Sequence, residues 1–289
     1  MALQFRHNVI AIIYDFDGTL TPSPMQDYTV LPQINIDPKK FWKKVKRINK
    51  QTKGDEITTY MRLMLDECYQ RNYALTPDNL HKLAANIKYY PGVENGIFKK
   101  LDRYVKGNGD RNIELRHYII SSGLKKVLEA TCISKNFHNI FASEYHYDQY
   151  GKPIFLKRVI DGTQKTQYLF RINKGIEDVT KSINNYMPEN KRAIPFQNIL
   201  YIGDGMTDVP SMTVTKKSNG YAIAVHDGSD KGVKVCSDLL YAGRVDFIAK
   251  ADYREHHALV KAIKLILDHM MSGVNYAREA FRQTNKYLS

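Results

Sequence analysis

Two short acidic segments carry the clearest chemical potential in this chain. The first is Asp15-Phe16-Asp17-Gly18-Thr19, with carboxylates two positions apart. The second is Gly203-Asp204-Gly205-Met206-Thr207-Asp208, with carboxylates four apart. Each follows an apolar, β-rich run, Val9 to Tyr14 and Asn198 to Ile202. Carboxylates at the carboxyl ends of buried strands point into the crevice where open α/β sheets bind ligands. If the two strands are neighbours, the acids converge on one site. Clustered carboxylates repel, so they imply a bound cation, and an all-oxygen set favours Mg2+ over zinc. Gly18 lets the chain leave its strand sharply. The plainer reading of Asp204 and Asp208 is helix capping.

The elements that must position these residues are legible as an alternation. Val9 to Tyr14 is continuously apolar, the pattern of a strand buried on both faces. Arg116 to Ser121, Asn139 to Ser143, Asn198 to Gly203 and Gly220 to Val225 resemble it, and Gly243 to Phe247 offers a sixth, edge strand. Helical patterns lie between or after them: Leu124 to Cys132, Asp208 to Thr215, and His256 to Met271, the last with apolar residues at three- and four-residue spacing. Tyr145 to Ile160 reads as a hairpin turning at Asp148 to Lys152, and Lys106 to Asn112 as a polar loop. The fold class is α/β, a Rossmann-like parallel sheet with right-handed crossovers.

The alternation is broken once. From Pro22 to about Tyr90 the pattern is helical, with starts at Pro38, Asp55 and Thr76-Pro77, and Tyr90-Pro91-Gly92 closes it. This predicts a helical cap over 22–90, inserted after the first strand. Residues 1–21 and 91–289 then form the core, whose first helix runs from Val93 to Tyr104.

Composition narrows the class. The chain has 289 residues, 43% of them hydrophobic, which is ordinary for a globular protein. Its net charge is +13. Eight Lys/Arg and no acid fall between Pro38 and Lys53, with Lys39, Lys43, Lys46 and Lys50 on one helix face. The reading is a solvated cap helix, with attraction of anionic substrates as the sharper alternative. No zinc-finger spacing or glycine-rich phosphate loop supports nucleic acid as a partner. Three scattered cysteines without a CxxC fit a reducing compartment. No apolar run is long enough for a signal peptide or a membrane span, so the expected location is the cytoplasm.

Taken together, the motifs resemble those of the haloacid dehalogenase (HAD) superfamily of phosphohydrolases. Strand then DxDGT matches Asp15 to Thr19. A strand ending in Ser matches Ile119-Ile120-Ser121-Ser122-Gly123. A Lys at a helix start matches Lys165, and GDxxxD matches Gly203 to Asp208. The early helical insert is similar to the C1 cap of phosphoserine phosphatase-like members. The second and third matches are weak alone: by themselves Ser121 is a strand-end hydroxyl and Lys165 a surface lysine.

The resemblance implies a Mg2+-dependent phosphatase working on a small phosphorylated metabolite. Asp15 would be the nucleophile, forming an aspartyl-phosphate, and Asp17 the acid and then the base. The metal set would be Asp15, the main-chain carbonyl of Asp17, Asp204 and Asp208, with Asp208 orienting the metal's waters. Ser121, Ser122, Gly123 and Lys165 would bind the phosphoryl group. The electrostatic need for the metal is plain, because a phosphate charge and a carboxylate charge at ~4 Å repel by about 4 kcal/mol at an effective dielectric of 20. Tyr28, Arg62 and Arg71 are candidates for the cap side of the substrate site. Residues 21–28 hold no counterpart of the glutamate that reads phosphoserine. The alternatives are a non-catalytic HAD-like binding or regulatory protein, which the intact acids oppose, and a phosphatase acting on nucleic-acid ends, which only the basic charge favours.

Overall fold

The computed structural model describes residues 5–109 and 112–287. Among them lie seven strands in one sheet: β1 (Val9–Tyr14), β2 (Glu114–Leu124), β3 (Asn139–Tyr147), β4 (Pro153–Arg158), β5 (Ile199–Gly203), β6 (Tyr221–His226) and β7 (Phe247–Lys250). Their order is β4-β3-β2-β1-β5-β6-β7, parallel except for the β3–β4 hairpin. The fold is therefore α/β with a mostly parallel, Rossmann-like sheet. β1 sits where the strand order reverses, with β2 on one side and β5 on the other. Tyr14 pairs with Ile119 and with Ile202, so three strand ends finish side by side.

The run Val9 to Tyr14 is apolar because both sides of β1 are covered. Ile10, Ile12 and Tyr14 enter one core, and Val9, Ala11 and Ile13 enter the other. The first core is closed by α6 (Ile97–Asn108) and the long α11 (Ala258–Tyr287). The second is closed by α8 (Gly162–Lys174), α9 (Val209–Lys217) and α10 (Asp230–Tyr241). α7 (Lys125–Glu129) links β2 to β3.

Between β1 and α6 the described chain is helical: α1 (Met25–Tyr28), α2 (Val30–Gln33), α3 (Pro38–Thr52), α4 (Glu56–Gln70) and α5 (Pro77–Leu83). Asp37, Asp55 and Thr76 cap α3, α4 and α5, each accepting a backbone N–H with its side chain. The apolar faces of these helices do not form a separate core. Phe41, Val45, Tyr60, Met61 and Met64 belong to the same cluster as Tyr14 and Phe98.

Several boundaries differ from the sequence reading, each for a local reason. The helix expected over Val93 to Tyr104 runs instead from Ile97 to Asn108, because Gly92 and Gly96 take left-handed φ of 91° and 81° and delay its start. Lys106 to Asn108 are its last turn rather than loop, held by the buried Val105 on the same helix. Residues 110–111 of that expected loop lie outside the described residues. The edge strand expected at Gly243 to Phe247 forms at Phe247–Lys250, since Gly243, at φ 65°, turns the chain first. The hairpin turn falls where expected, with the Asp148 carboxylate accepting from the Tyr150 and Lys152 amides.

The basic stretch is α3, and Lys39, Lys43, Lys46 and Lys50 are exposed on it. Lys44 is different. Its ammonium lies 2.5 Å from Glu67 of α4, which Arg71 also grips at 2.5 Å. Burial works to raise the Glu67 pKa, but the hydrogen bonds and charges of Lys44 and Arg71 outweigh it and leave the carboxyl below its usual range. A lowered carboxyl pKa stabilises the fold above the unfolded-state value near ~4.3, and that contribution is lost as pH falls through the folded-state value. Glu67→Gln should therefore lower the Tm at pH 7. The gap between variant and wild type should narrow steadily below about pH 4, read from thermal melts across a pH series.

Candidate active site

The site is built where β1, β2 and β5 end together. The Asp15 amide donates to the Ile202 carbonyl at 2.9 Å, which extends the β1–β5 ladder by one residue and fixes the first carboxylate. Gly18 then turns the chain at φ 82°. A Cβ on Gly18 would stand 2.2 Å from Asp204 Oδ2, so the glycine is needed twice, for its dihedral and for the approach of Asp204. Lys165 reaches in from the first turn of α8. Its Nζ lies 2.8 Å from Asp15 Oδ1 and 2.7 Å from Asp208 Oδ1. All three side chains are buried.

Asp208 is held from a second direction. The Tyr201 hydroxyl, from the middle of β5, donates to the same Oδ1 at 2.7 Å. Asp208 Oδ2 is buried with no hydrogen-bond partner. Asp15, Asp204 and Asp208 place carboxylate oxygens within 4.8 Å of one another. One lysine against these three acids leaves an excess of negative charge in a buried place. That excess, the orphaned oxygen and the all-oxygen donor set fit a hard divalent cation such as Mg2+.

The ionisation of the group follows from its burial. Burial pushes the Asp15 carboxyl up to about 6, with Asp208 adding and Lys165 opposing. Burial and then the charge of Asp15 push Asp17 up to about 8. Asp204 is raised for the same reasons, burial first and Asp15 next. For Lys165 burial favours the neutral amine, but Asp15 and Asp208 overcome it and keep the ammonium charged.

Asp17 is not one of the cluster of three. Its Oδ1 accepts from the Met25 amide at 2.8 Å, at the start of α1. Met25 also braces β2: its Sδ lies 3.2 Å from the Leu124 amide, and a Cβ on Gly123 would stand 2.0 Å from its methyl. Gly123 thus admits the side chain whose backbone positions Asp17.

A cavity of about 190 Å3 opens over these groups. Asp15, Asp17, Ser122, Lys165 and Thr207 line it from the strand ends and α8, and Pro24, Gln26, Trp42, Glu56, Ile57 and Tyr60 line it from the helical insert. Ser121 is fully buried behind it and accepts from the Gly123 amide at 3.0 Å, whereas Ser122 faces the cavity with a partnerless Oγ. Tyr28 ends α1 and packs half-buried against the first core rather than in the cavity wall. Arg62 is not brought to the site. It is exposed, pairs with Asp66 at 3.0 Å, and borders grooves between α4 and the β3–β4 hairpin. Arg71 is likewise elsewhere, on Glu67.

Four wall or support residues carried no sequence signal of function. Tyr60 and Trp42 sit in apolar helical patterns, Gln26 in a stretch without periodicity, and Tyr201 in the middle of a strand. Only the spacing of Tyr201, seven residues before Asp208, is a usable clue after the fact.

The Gly18 geometry yields a direct test. Gly18→Ala should destabilise the protein by about 1–3 kcal/mol in chemical denaturation, since strain at positive φ adds to the clash with Asp204. A variant as stable as wild type would contradict this packing.

Comparison with known proteins agrees with this architecture. An uncharacterized protein of Borreliella burgdorferi is 29% identical over 272 residues, covering 86% of this chain and 93% of that one. A HAD family hydrolase from Salmonella enterica serovar Typhi superposes with a TM-score of 0.58 at 14% identity, covering 90% of this chain and 71% of the other. An apo phosphoserine phosphatase superposes at 0.55 and 16% identity, covering 85% and 96%. At these identities the superpositions establish the fold. Among the described residues no helix is long and apolar enough to cross a membrane. The family model for haloacid dehalogenase-like hydrolases matches residues 12–213, a span that holds Asp15, Asp17, Lys165, Asp204 and Asp208, and the chain belongs to that family.

Proposed function

We propose that the chain is a Mg2+-dependent phosphatase that hydrolyses a small phosphomonoester through an aspartyl-phosphate on Asp15. The observation that carries this reading is the Lys165–Asp15 contact of 2.8 Å at the floor of a small cavity that Asp17 also lines. Lys165 keeps Asp15 ionised and aimed, which is what a nucleophilic carboxylate needs. Held by Asp15, Asp204 and Asp208, with the Asp17 main-chain carbonyl, a Mg2+ ion would offset the charge of the incoming phosphate and orient it for in-line displacement.

The chain's own groups divide the work. An Asp15 oxygen attacks phosphorus, and the bond from phosphorus to the leaving oxygen breaks. Asp17 gives that oxygen its proton, so an alcohol departs rather than an alkoxide. Asp17, now a carboxylate, takes a proton from water as the water attacks phosphorus. The Asp15–phosphorus linkage breaks, and phosphate leaves. Ser122 Oγ, the Thr207 region and Lys165 supply donors to phosphoryl oxygens, whose charge is spread in a loose transition state. A volume near 190 Å3 supports a small metabolite over a macromolecular substrate.

Two measurements test this reading. Turnover of p-nitrophenyl phosphate should vanish with EDTA and return with Mg2+, and Asp15→Asn should lower kcat/KM by about a thousandfold or more. Equal turnover by wild type and Asp15→Asn would overturn it. Asp17→Asn should cost about 10²–10⁴-fold on an alkyl phosphate and clearly less on p-nitrophenyl phosphate, whose leaving group needs little protonation.

A further inference from the structure

The part of the cavity wall that the helical insert contributes has a definite chemical character. Tyr60 donates its hydroxyl proton to the Ser122 carbonyl at 2.6 Å. Gln26 lines the same wall and carries a side-chain carbonyl oxygen, Oε1. That oxygen is buried with no partner, and the residue is only 2% exposed. A buried acceptor left unpaired costs about 1–3 kcal/mol, so the site is built for a donor that arrives with the ligand.

The neighbouring groups point the same way. Glu56 is the first residue of α4, borders the cavity, and has no ion-pair partner among the described residues. Trp42 and Tyr60 also border it, with ring centroids 5.6 Å apart at an angle of 62°. Their π faces attract cations. The one donor on Trp42, Nε1, is spent on Asp27 at 2.7 Å. Lys165 is the sole basic residue in the wall, and it is committed to Asp15 and Asp208. None of the lysines of α3 borders the cavity. The insert's share of the wall thus offers a carboxylate, a carbonyl oxygen and two aromatic rings, and no positive charge.

Resting on the phosphatase reading above, we propose that the leaving group is a small alcohol bearing an ammonium group and no carboxylate. Its cationic head lies between Glu56, Gln26 Oε1 and the corner formed by Trp42 and Tyr60, while its phosphate faces Asp15. Esters of choline and of ethanolamine share this chemistry. Phosphoserine does not, because its carboxylate would meet Glu56 and find no cation.

The test compares kcat/KM of the full chain with Mg2+ on five esters: phosphocholine, phosphoethanolamine, phosphoserine, p-nitrophenyl phosphate and 3,3-dimethylbutyl phosphate, the uncharged isostere of phosphocholine. At least one of the first two should exceed the isostere by about tenfold or more. A lead for phosphocholine assigns recognition mainly to the aromatic corner, and a lead for phosphoethanolamine mainly to hydrogen bonds from the ammonium to Glu56 and Gln26. Glu56→Gln and Trp42→Leu are each read by the ratio of cationic to neutral ester within the same variant, and at least one should cut it to about threefold or less. Hydrolysis of p-nitrophenyl phosphate with no preference for the cationic esters, or with phosphoserine preferred, would overturn the inference and leave the phosphatase reading standing. So would a preference that both variants retain in full. Turnover of none of the five would overturn the phosphatase reading and this inference with it.

Discussion

One buried ammonium between two buried carboxylates organises this protein. Lys165 bridges Asp15 and Asp208 at 2.8 and 2.7 Å, and each partner comes from a different element. Asp15 belongs to the end of β1, Lys165 to α8, and Asp208 to the turn after β5. Isolated, any of these charges would be far too costly to keep in the interior, because desolvation penalises the ionised form. Together they fix the distance between two strand ends and the register of a helix. Removing one partner would leave the others as uncompensated buried charges, so the geometry tolerates little slack. Tyr201 adds a neutral donor to the same Asp208 oxygen and leaves the other oxygen buried without a partner.

Much of this was legible in the sequence, and the limits have physical causes. β1 was exact, because a strand covered on both faces must be apolar at every position. Asp15, Asp17, Asp204 and Asp208 stood out because carboxylates directly after such strands have few structural uses. Lys165 was visible only through the order of four motifs, since a lysine near a helix start is otherwise a surface residue. Arg62 and Arg71, expected on the cap side of the substrate site, are each paired instead with an acid four residues away. Gln26 and Tyr60 were silent for the opposite reason. A tyrosine in an apolar stripe looks like core, and here it is core on its ring and site on its hydroxyl.

The net charge of the chain is also resolved into places. The exposed lysines of α3 stand in solvent, while Lys44 is spent on joining α3 to α4. The cavity over Asp15 is acidic, with five acidic residues at or beside it and one lysine. A strongly basic chain thus carries an acidic centre. The field inside the cavity is set within a few ångströms, by groups that solvent and salt barely screen.

The helical insert and the sheet share one apolar cluster rather than meeting across a wet boundary. Phe41, Tyr60 and Met64 are continuous with Tyr14 and Phe98. Any outward swing of the insert would hydrate some of these side chains. Exposure of apolar surface raises heat capacity, so such opening would carry a positive change in heat capacity. Ligand entry and release would then inherit a curved temperature dependence, steepest where apolar hydration is least favourable.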